Sequence, residues 1–179
     1  MACSRAMFDV RPCRLGDVTH IRRLLKASWH GTYDSIIGER VALQRGRRVY
    51  STVNLVIWIA QSRLPSHATK MLIATQGNIA VGVAMARIDD ASEIVLYMLH
   101  VDPERKGQRI GSALLQAVAG SYAGAKGVRL EVLRDNVAAI EWYKAQGFEV
   151  YGETKSATGT WGVAALYMDK KLDRLTQPC

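Results

Sequence analysis

Leu96-Tyr-Met-Leu-His-Val-Asp-Pro-Glu-Arg-Lys-Gly-Gln-Arg-Ile-Gly111 is the stretch on which the fold turns. Its first half is an apolar run that reads as a strand, and Asp102-Pro103 stops it. Its second half is short, basic and glycine-bearing, and the helix-patterned Ser112-Ala-Leu-Leu-Gln-Ala-Val118 follows at once. Backbone N–H groups at a helix start point outward unpaired, and the helix dipole favours negative charge there. Gly107 and Gly111 remove side chains where a phosphate would approach the backbone. No Gly-Lys-Ser/Thr ends the loop, so it is not a P-loop, and the dinucleotide fingerprint G-x-G-x-x-G is also missing.

A second stretch lies downstream: Leu130-Glu-Val-Leu-Arg-Asp-Asn-Val-Ala-Ala-Ile-Glu-Trp-Tyr-Lys-Ala-Gln-Gly-Phe148. It reads as a strand, a turn and cap at Arg134–Asn136, a helix from Val137 to Gln146 and a Gly147 stop. Asn136 is a helix cap by its residue type. Tyr143 can be an amphipathic core residue or a proton donor, and Glu131 a solvent-facing strand residue or a base.

The two stretches together resemble the GNAT superfamily of N-acetyltransferases. Lys106-Gly-Gln-Arg-Ile-Gly111 is similar to its [Q/R]-x-x-G-x-[G/A] pyrophosphate loop, with Arg109 in place of the middle glycine. A backbone N–H at Arg109 can serve the cofactor if its φ is negative. Asn136, Ala139, Tyr143, Gly147 and Phe148 match the signature N-x-x-A-x-x-x-Y-x-x-x-G-F. In closer detail Leu-Glu-Val-x-x-x-Asn-x-x-Ala-Ile-x-x-Tyr resembles the ribosomal-protein alanine N-acetyltransferases. The resemblance runs from about Phe8 to Met168, and its specific part is Leu96 to Phe148.

The resemblance implies acetyl-CoA as the acyl donor. It implies Glu131 as general base and Tyr143 as general acid, with Glu93 a rival base on the preceding strand. The cofactor would be held by Leu99, His100 and Val101 at the strand end. It would also meet Lys106, Gly107, Gln108, Arg109, Ile110, Gly111 and Ser112 in the loop and first helical turn, and Asn136 and Tyr143 beyond. Trp29, Tyr33 and Glu93 are the candidate acceptor contacts; Trp29 and Tyr33 can equally pin a turn to the core. The chemistry needs such groups. An alkyl ammonium costs ~4–5 kcal/mol to be neutral at pH 7, so a base or water chain must take its proton. A strand-end N–H at Leu99–Val101 suits the developing oxyanion, and a tyrosine hydroxyl suits the leaving thiolate. The pantetheine arm can pair with an open strand edge.

The 179 residues suit one domain, with its core over about 8–169. The apolar stretch Ile79–Ala86 is too short to span a bilayer, and the N-terminus has no signal-peptide core. Met1 or Met7 can start the chain. Cys3, Cys13 and Cys179 form no metal-ligand spacing and read as unpaired thiols of a cytoplasmic protein, with the two terminal ones exposed. No metal is expected. The net charge of +8 admits nucleic acid, a polyanionic cofactor or plain solvated surface. Its scatter, without a basic tail or an interleaved aromatic platform, disfavours nucleic acid.

The chain begins with a strand over Phe8–Arg14, in which Pro12 demands an edge or end position. A helix capped by Asp17 follows, with Val18, Ile21, Leu24, Leu25 and Trp29 on one face, and a polar-aromatic turn over Ser28–Asp34 ends it. His30 in that turn reads as a surface or capping residue. Gly38, Gly46 and the Arg45–Arg48 run divide Ile36–Leu64 into two helices, the second over about Val49–Gln61, and Pro65-Ser-His67 is a loop. A three-strand meander follows, with a hairpin at Gly77-Asn78 and a bulge or close contact at Gly82. Two final strands close the chain across a Ser/Thr/Gly loop, with a frayed tail after Leu172. The expected fold is α/β (α+β): a mixed, mostly antiparallel sheet of about seven strands with helices on both faces.

The function expected is direct acetyl transfer to a primary amine on a small molecule or a protein N-terminus. No cysteine near the motif argues for an acyl-enzyme. A non-catalytic acetyl-CoA sensor and a basic nucleic-acid-associated protein are the alternatives. Oligomeric state stays open, a homodimer included.

Overall fold

A computed structural model describes residues 8–64, 68–154 and 163–172. The chain start, Cys3, Cys179, the 65–67 loop, the loop before the last strand and the tail from 173 lie outside the described residues. The elements are β1 (Asp9–Pro12), α1 (Val18–Ile37), α2 (Glu39–Val49), α3 (Thr52–Ser62), β2 (Thr69–Gln76), β3 (Ile79–Ile88), β4 (Glu93–Val101), α4 (Ile110–Gly120), β5 (Gly127–Leu133), α5 (Val137–Ala145), β6 (Glu149–Thr154) and β7 (Ala165–Lys171). The seven strands form one sheet in the order β1-β2-β3-β4-β5-β7-β6, antiparallel except for β4 beside β5. Pro12 ends the edge strand β1, where its missing N–H costs no ladder bond.

Helices cover both faces. Ile110, Leu114, Leu115 and Val118 of α4, with Ile140 and Tyr143 of α5, pack on Val81, Ala84, Ile94, Leu96, Leu130 and Val132. Ile21, Leu24 and Leu25 of α1, with Leu55 and Ile59 of α3, pack on Met71, Ile73, Val83, Met85 and Met98 of the other face. Each such side chain, fully buried, contributes about 1.5–3 kcal/mol.

β4 contributes to both cores. Its pairing with β3 slips between Met85↔Met98 and Ala86↔Leu96, so Tyr97 is an extra residue in the ladder. That bulge flips the alternation. Ile94 and Leu96 join the α4 core, whereas Met98 joins the α1 core. Leu99 and Val101 are then turned to the α4 side. Every residue concerned is apolar or aromatic, so the sequence pattern hides the flip.

Three expectations are corrected. The turn expected over Ser28–Asp34 is helix, since α1 runs on to Ile37 and stops at Gly38 with φ +82. Tertiary contacts override the polar pattern: the Trp29 indole N–H donates to the Ala42 carbonyl of α2 at 2.7 Å. Gly46 divides nothing and lies inside α2, where a Cβ would sit 3.1 Å from the Trp29 ring. Asp17 also does not cap α1 with its side chain; its carboxylate accepts two bonds from Arg11 at 2.8 Å and one from the Arg14 N–H.

Gly82 is a close contact, beside a slip in the β2–β3 register. A Cβ there would lie 2.8 Å from both Ile110 and Leu114 of α4. Gly82→Ala should therefore push α4 off the sheet at a cost of about 1–3 kcal/mol. Urea unfolding should show a lower midpoint with an unchanged slope.

Candidate active site

Four register pairs, Glu93↔Gly127 to Leu96↔Leu130, hold β4 to β5. None follows. β4 continues beside β3 as far as Val101↔Gly82, and β5 continues beside β7 as far as Leu133↔Ala165. The two central strands therefore part immediately after Leu96, at the Tyr97 bulge. A bulge sharpens local twist, which is a physical cause for the parting. The parting opens a cavity of about 870 Å³, lined by Tyr97–Val101 on one side and Leu130–Leu133 on the other.

The loop after β4 forms one end of it. Asp102 accepts from the Glu104 N–H at 3.1 Å, and Pro103 begins a short 3-10 turn. Arg105 is held by Gln76 and by Asp102, so it braces the loop. Lys106, Gly107, Arg109, Gly111 and Ser112 line the cavity. α3 and α5 carry side-chain caps from Ser51 and Asn136, whereas Arg109 gives α4 none. The α4 N-terminus thus keeps donor capacity and a positive dipole end for an anion. Gly111 is needed for a further reason: a Cβ there would lie 3.0 Å from the Trp142 ring of α5.

Arg109 has φ +61 and ψ 11, the left-handed region. The negative φ on which its service to the cofactor was conditioned is thus not found. The position calls for glycine, and Arg109 carries a strain of about 1–2 kcal/mol there.

Tyr143 and Glu131 both line the cavity. Tyr143 is buried against Trp142 and Phe148, and its hydroxyl is pushed well above the usual phenol range, by burial first and by Tyr33 second. Glu131 sits on β5 opposite Tyr167 of β7. Leu130 and its partner Met168 face the α4 core, so Glu131 and Tyr167 face the α1 side. Asn136 caps α5 by accepting from the Ala139 N–H at 3.3 Å and also lines the cavity. Trp29 and Tyr33 line it from α1, with ring centroids 4.2 Å apart.

Two expected contacts are not brought to the site. Glu93 lies at the far end of β4, its carboxylate over Gly127, and it is outside the lining. Gln108 is exposed and outside the lining as well. Ile110 does line the cavity, and its side chain is also buried in the α4 core. His30 pairs with Asp34 at 3.1 Å and is not among the lining residues, in line with its reading as a surface residue.

His100 was expected to serve through its backbone, and its side chain does more. Nδ1 lies 3.0 Å from Ser28 Oγ of α1, and Nε2 lies 3.1 Å from the Tyr50 hydroxyl after α2. The imidazole ties the end of β4 to both helices. Burial drives its pKa down to about 4, so it is neutral at ordinary pH. Ser28, Thr32, Tyr50, Tyr97, Arg129, Trp142, Tyr151 and Tyr167 are lining residues that sequence reasoning missed. Most could be found only from strand register and helix docking; Trp142 stood next to the motif tyrosine.

The family model of the acetyltransferase (GNAT) family matches residues 39–148, and the chain belongs to that family. It is an acetyl-CoA-dependent N-acetyltransferase. Among solved structures it is similar to the PaiA N-acetyltransferase of Thermoplasma acidophilum in complex with coenzyme A. The identity is 24%, the TM-score 0.82, and the match covers 92% of this chain and 99% of that one. Ard1 of Thermoplasma volcanium matches at 18% identity and TM-score 0.71, over 93% and 99% of the two chains. The ribosomal-protein-S18-alanine N-acetyltransferase of Escherichia coli matches at 18% identity and TM-score 0.66, over 92% and 93%. No curated protein matches the sequence significantly. No group of metal-ligating side chains is found, and no helix is long and apolar enough to cross a membrane, among the described residues.

The residues present fit coenzyme A: a bare helix N-terminus with Lys106 and Arg109 for phosphates, and an open β4 edge for the pantetheine amides.

Two outcomes are expected. Arg109→Gly should melt about 2–4 °C above Arg109→Ala, because both lose the charge and only alanine keeps the strain; differential scanning calorimetry reads this. For His100, the unfolded chain binds a proton that the folded chain refuses between pH ~6.5 and ~4. Its stabilisation is full above that window and is lost as pH falls through it, by ~3 kcal/mol. Urea unfolding of wild type against His100→Gln across this range should show a shallower pH slope in the variant.

Proposed function

We propose that this cytoplasmic enzyme moves the acetyl group directly, in a ternary complex, to a primary amine on a small molecule or a protein N-terminus. Glu131 takes a proton from the ammonium, directly or through water. The amine nitrogen forms a bond to the thioester carbonyl carbon, the carbon–sulfur bond breaks, and the sulfur leaves with the bonding pair. Tyr143 donates a hydrogen bond and then a proton to that sulfur, and a backbone N–H within Leu99–Val101 faces the oxygen on which charge develops. The amine's second proton passes through water to the Tyr143 phenolate as the amide forms, and Glu131 releases its proton to solvent, so charge and protons balance.

One observation carries the reading: Tyr143 and Glu131 line the same cavity, where β4 parts from β5. The direction of the Tyr143 shift bears on its role. A phenol held above its usual range stays protonated and is a dependable donor, whereas complete transfer to a thiolate of ordinary basicity near pKa ~8.5 is uphill. Tyr143 therefore acts first by stabilising the leaving sulfur through a hydrogen bond, with the proton following. The raised value costs it little as a donor. The route needs no acyl-enzyme: the one cysteine among the described residues, Cys13, is buried in the α1 core.

Calorimetric titration with acetyl-CoA should give micromolar binding that Lys106→Ala/Arg109→Ala weakens markedly. Free-thiol release with a panel of amines should then show a kcat about 10²-fold lower for Tyr143→Phe, with acetyl-CoA affinity kept within a few-fold. Glu131→Gln should lose rate at pH 7 and regain much of it as pH rises toward the amine pKa. Unchanged kcat in both variants would overturn these roles.

A further inference from the structure

The acceptor half of the cavity has an unusual lining. Six aromatic rings, Trp29, Tyr33, Tyr50, Tyr97, Tyr151 and Tyr167, stand around it. Glu131 is the one carboxylate among its described lining residues. The basic lining residues are Arg105, Lys106 and Arg109 at the phosphate end and Arg129 two residues before Glu131 on β5. Arg129 is itself paired with Asp89 at 2.6 Å.

Resting on the reading that this cavity acetylates an amine, we propose that the acceptor is an arylalkylamine: one primary ammonium on a flat, apolar ring. The charge count sets the first half of this. One carboxylate neutralises one ammonium, and the described lining offers no second carboxylate for another cation. The rings set the second half. Tyr167 is the cross-strand neighbour of Glu131, so its ring stands beside the carboxylate. Tyr151 is an extra residue in the β6–β7 ladder, between Val150↔Met168 and Gly152↔Tyr167, and the bulge lets its ring stack on Tyr167 at 5.9 Å and 22°. The pair forms a flat wall next to the anionic group.

Tyr97 and Tyr151 are 59% and 56% exposed, large apolar surfaces that a bound ring would cover. Tyr33 lines the cavity from α1, backed by the buried Trp29 ring, which in turn meets Tyr50 edge-on at 5.2 Å. An ammonium over such faces gains cation–π attraction, and an aryl group gains offset or edge contacts. A saturated alkyl chain gains less from either.

The test is a comparison of 2-phenylethylamine, n-butylamine, spermidine and an alanyl peptide amide at saturating acetyl-CoA, read by free-thiol release. kcat/KM for 2-phenylethylamine should exceed that for n-butylamine and for spermidine by about tenfold. Tyr167→Leu should pull the phenylethylamine-to-butylamine ratio down toward one. A variant that lowers both rates equally would mean only a structural role for the ring and would overturn the proposal. So would a spermidine or peptide value equal to or above that of 2-phenylethylamine. Equal rates for 2-phenylethylamine and n-butylamine would sink the aryl preference and leave amine acetylation standing. No thiol release with any amine, with acetyl-CoA still bound, would overturn the proposed function and this acceptor class together.

Discussion

β4 and β5 share four paired positions and then separate, and the rest of the molecule follows from that separation. A parallel pair buried between two helical layers would ordinarily run on, because every unpaired backbone group inside costs free energy. Here the pairing is cut by one inserted residue, Tyr97. The bulge has two effects at once. It twists β4 away from β5, and it exchanges which side chains face which layer. Met98 and His100 then face α1, and Leu99 and Val101 face α4. The gap joins the two faces of the sheet. The α4–α5 side presents a helix N-terminus and basic groups, and the α1 side presents rings and a carboxylate. On the proposed function, a donor held on one side and an acceptor on the other would meet where the strands part.

Such a gap needs bracing, and the braces are polar and buried. His100 bonds to Ser28 and Tyr50, fastening the free end of β4 to α1 and to the segment after α2. Its neutral imidazole can donate from one nitrogen and accept at the other, so both hydroxyls are satisfied without a buried charge. On the other strand, seven pairs with β7 hold β5 straight. Both strands thus keep a sheet neighbour beyond the gap, β4 beside β3 and β5 beside β7, and the His100 clamp adds a tie from β4 to the helices.

The sequence made the cofactor half legible and the acceptor half mostly not. The Lys106–Gly111 loop, the Asn136 cap and Tyr143 are local signals, each fixed by what a turn or helix end needs within a few residues. The antiparallel meander and the parallel crossover followed from the alternation of patterns, whereas the place of β7 between β5 and β6 did not. The misreadings have a common origin. The Ser28–Asp34 segment looks like a turn because its polar and aromatic residues serve partners far along the chain: Ser28 meets His100, and Trp29 meets Ala42 and Gly46. Glu93 looked equivalent to Glu131 because each sits on a strand near the loop in sequence. Register puts Glu93 opposite Gly127, at the closed end of the wedge. Tyr167 and Tyr151 could not be found, since their place beside Glu131 depends on a β5–β7 pairing that spans more than thirty residues of sequence.

Arg109 shows how a strained residue can be kept. At φ +61 it occupies a conformation that glycine would take without cost, at the first turn of a helix to which it gives no side-chain cap. Stability alone would favour glycine there. The guanidinium, however, is exposed, lines the cavity and stands beside Lys106 at the positive end of the α4 dipole. A doubly charged pyrophosphate gains a charge-assisted contact from such a group that a bare backbone cannot give. The strain is met once, on folding, while on the proposed function the added charge would act each time the donor binds.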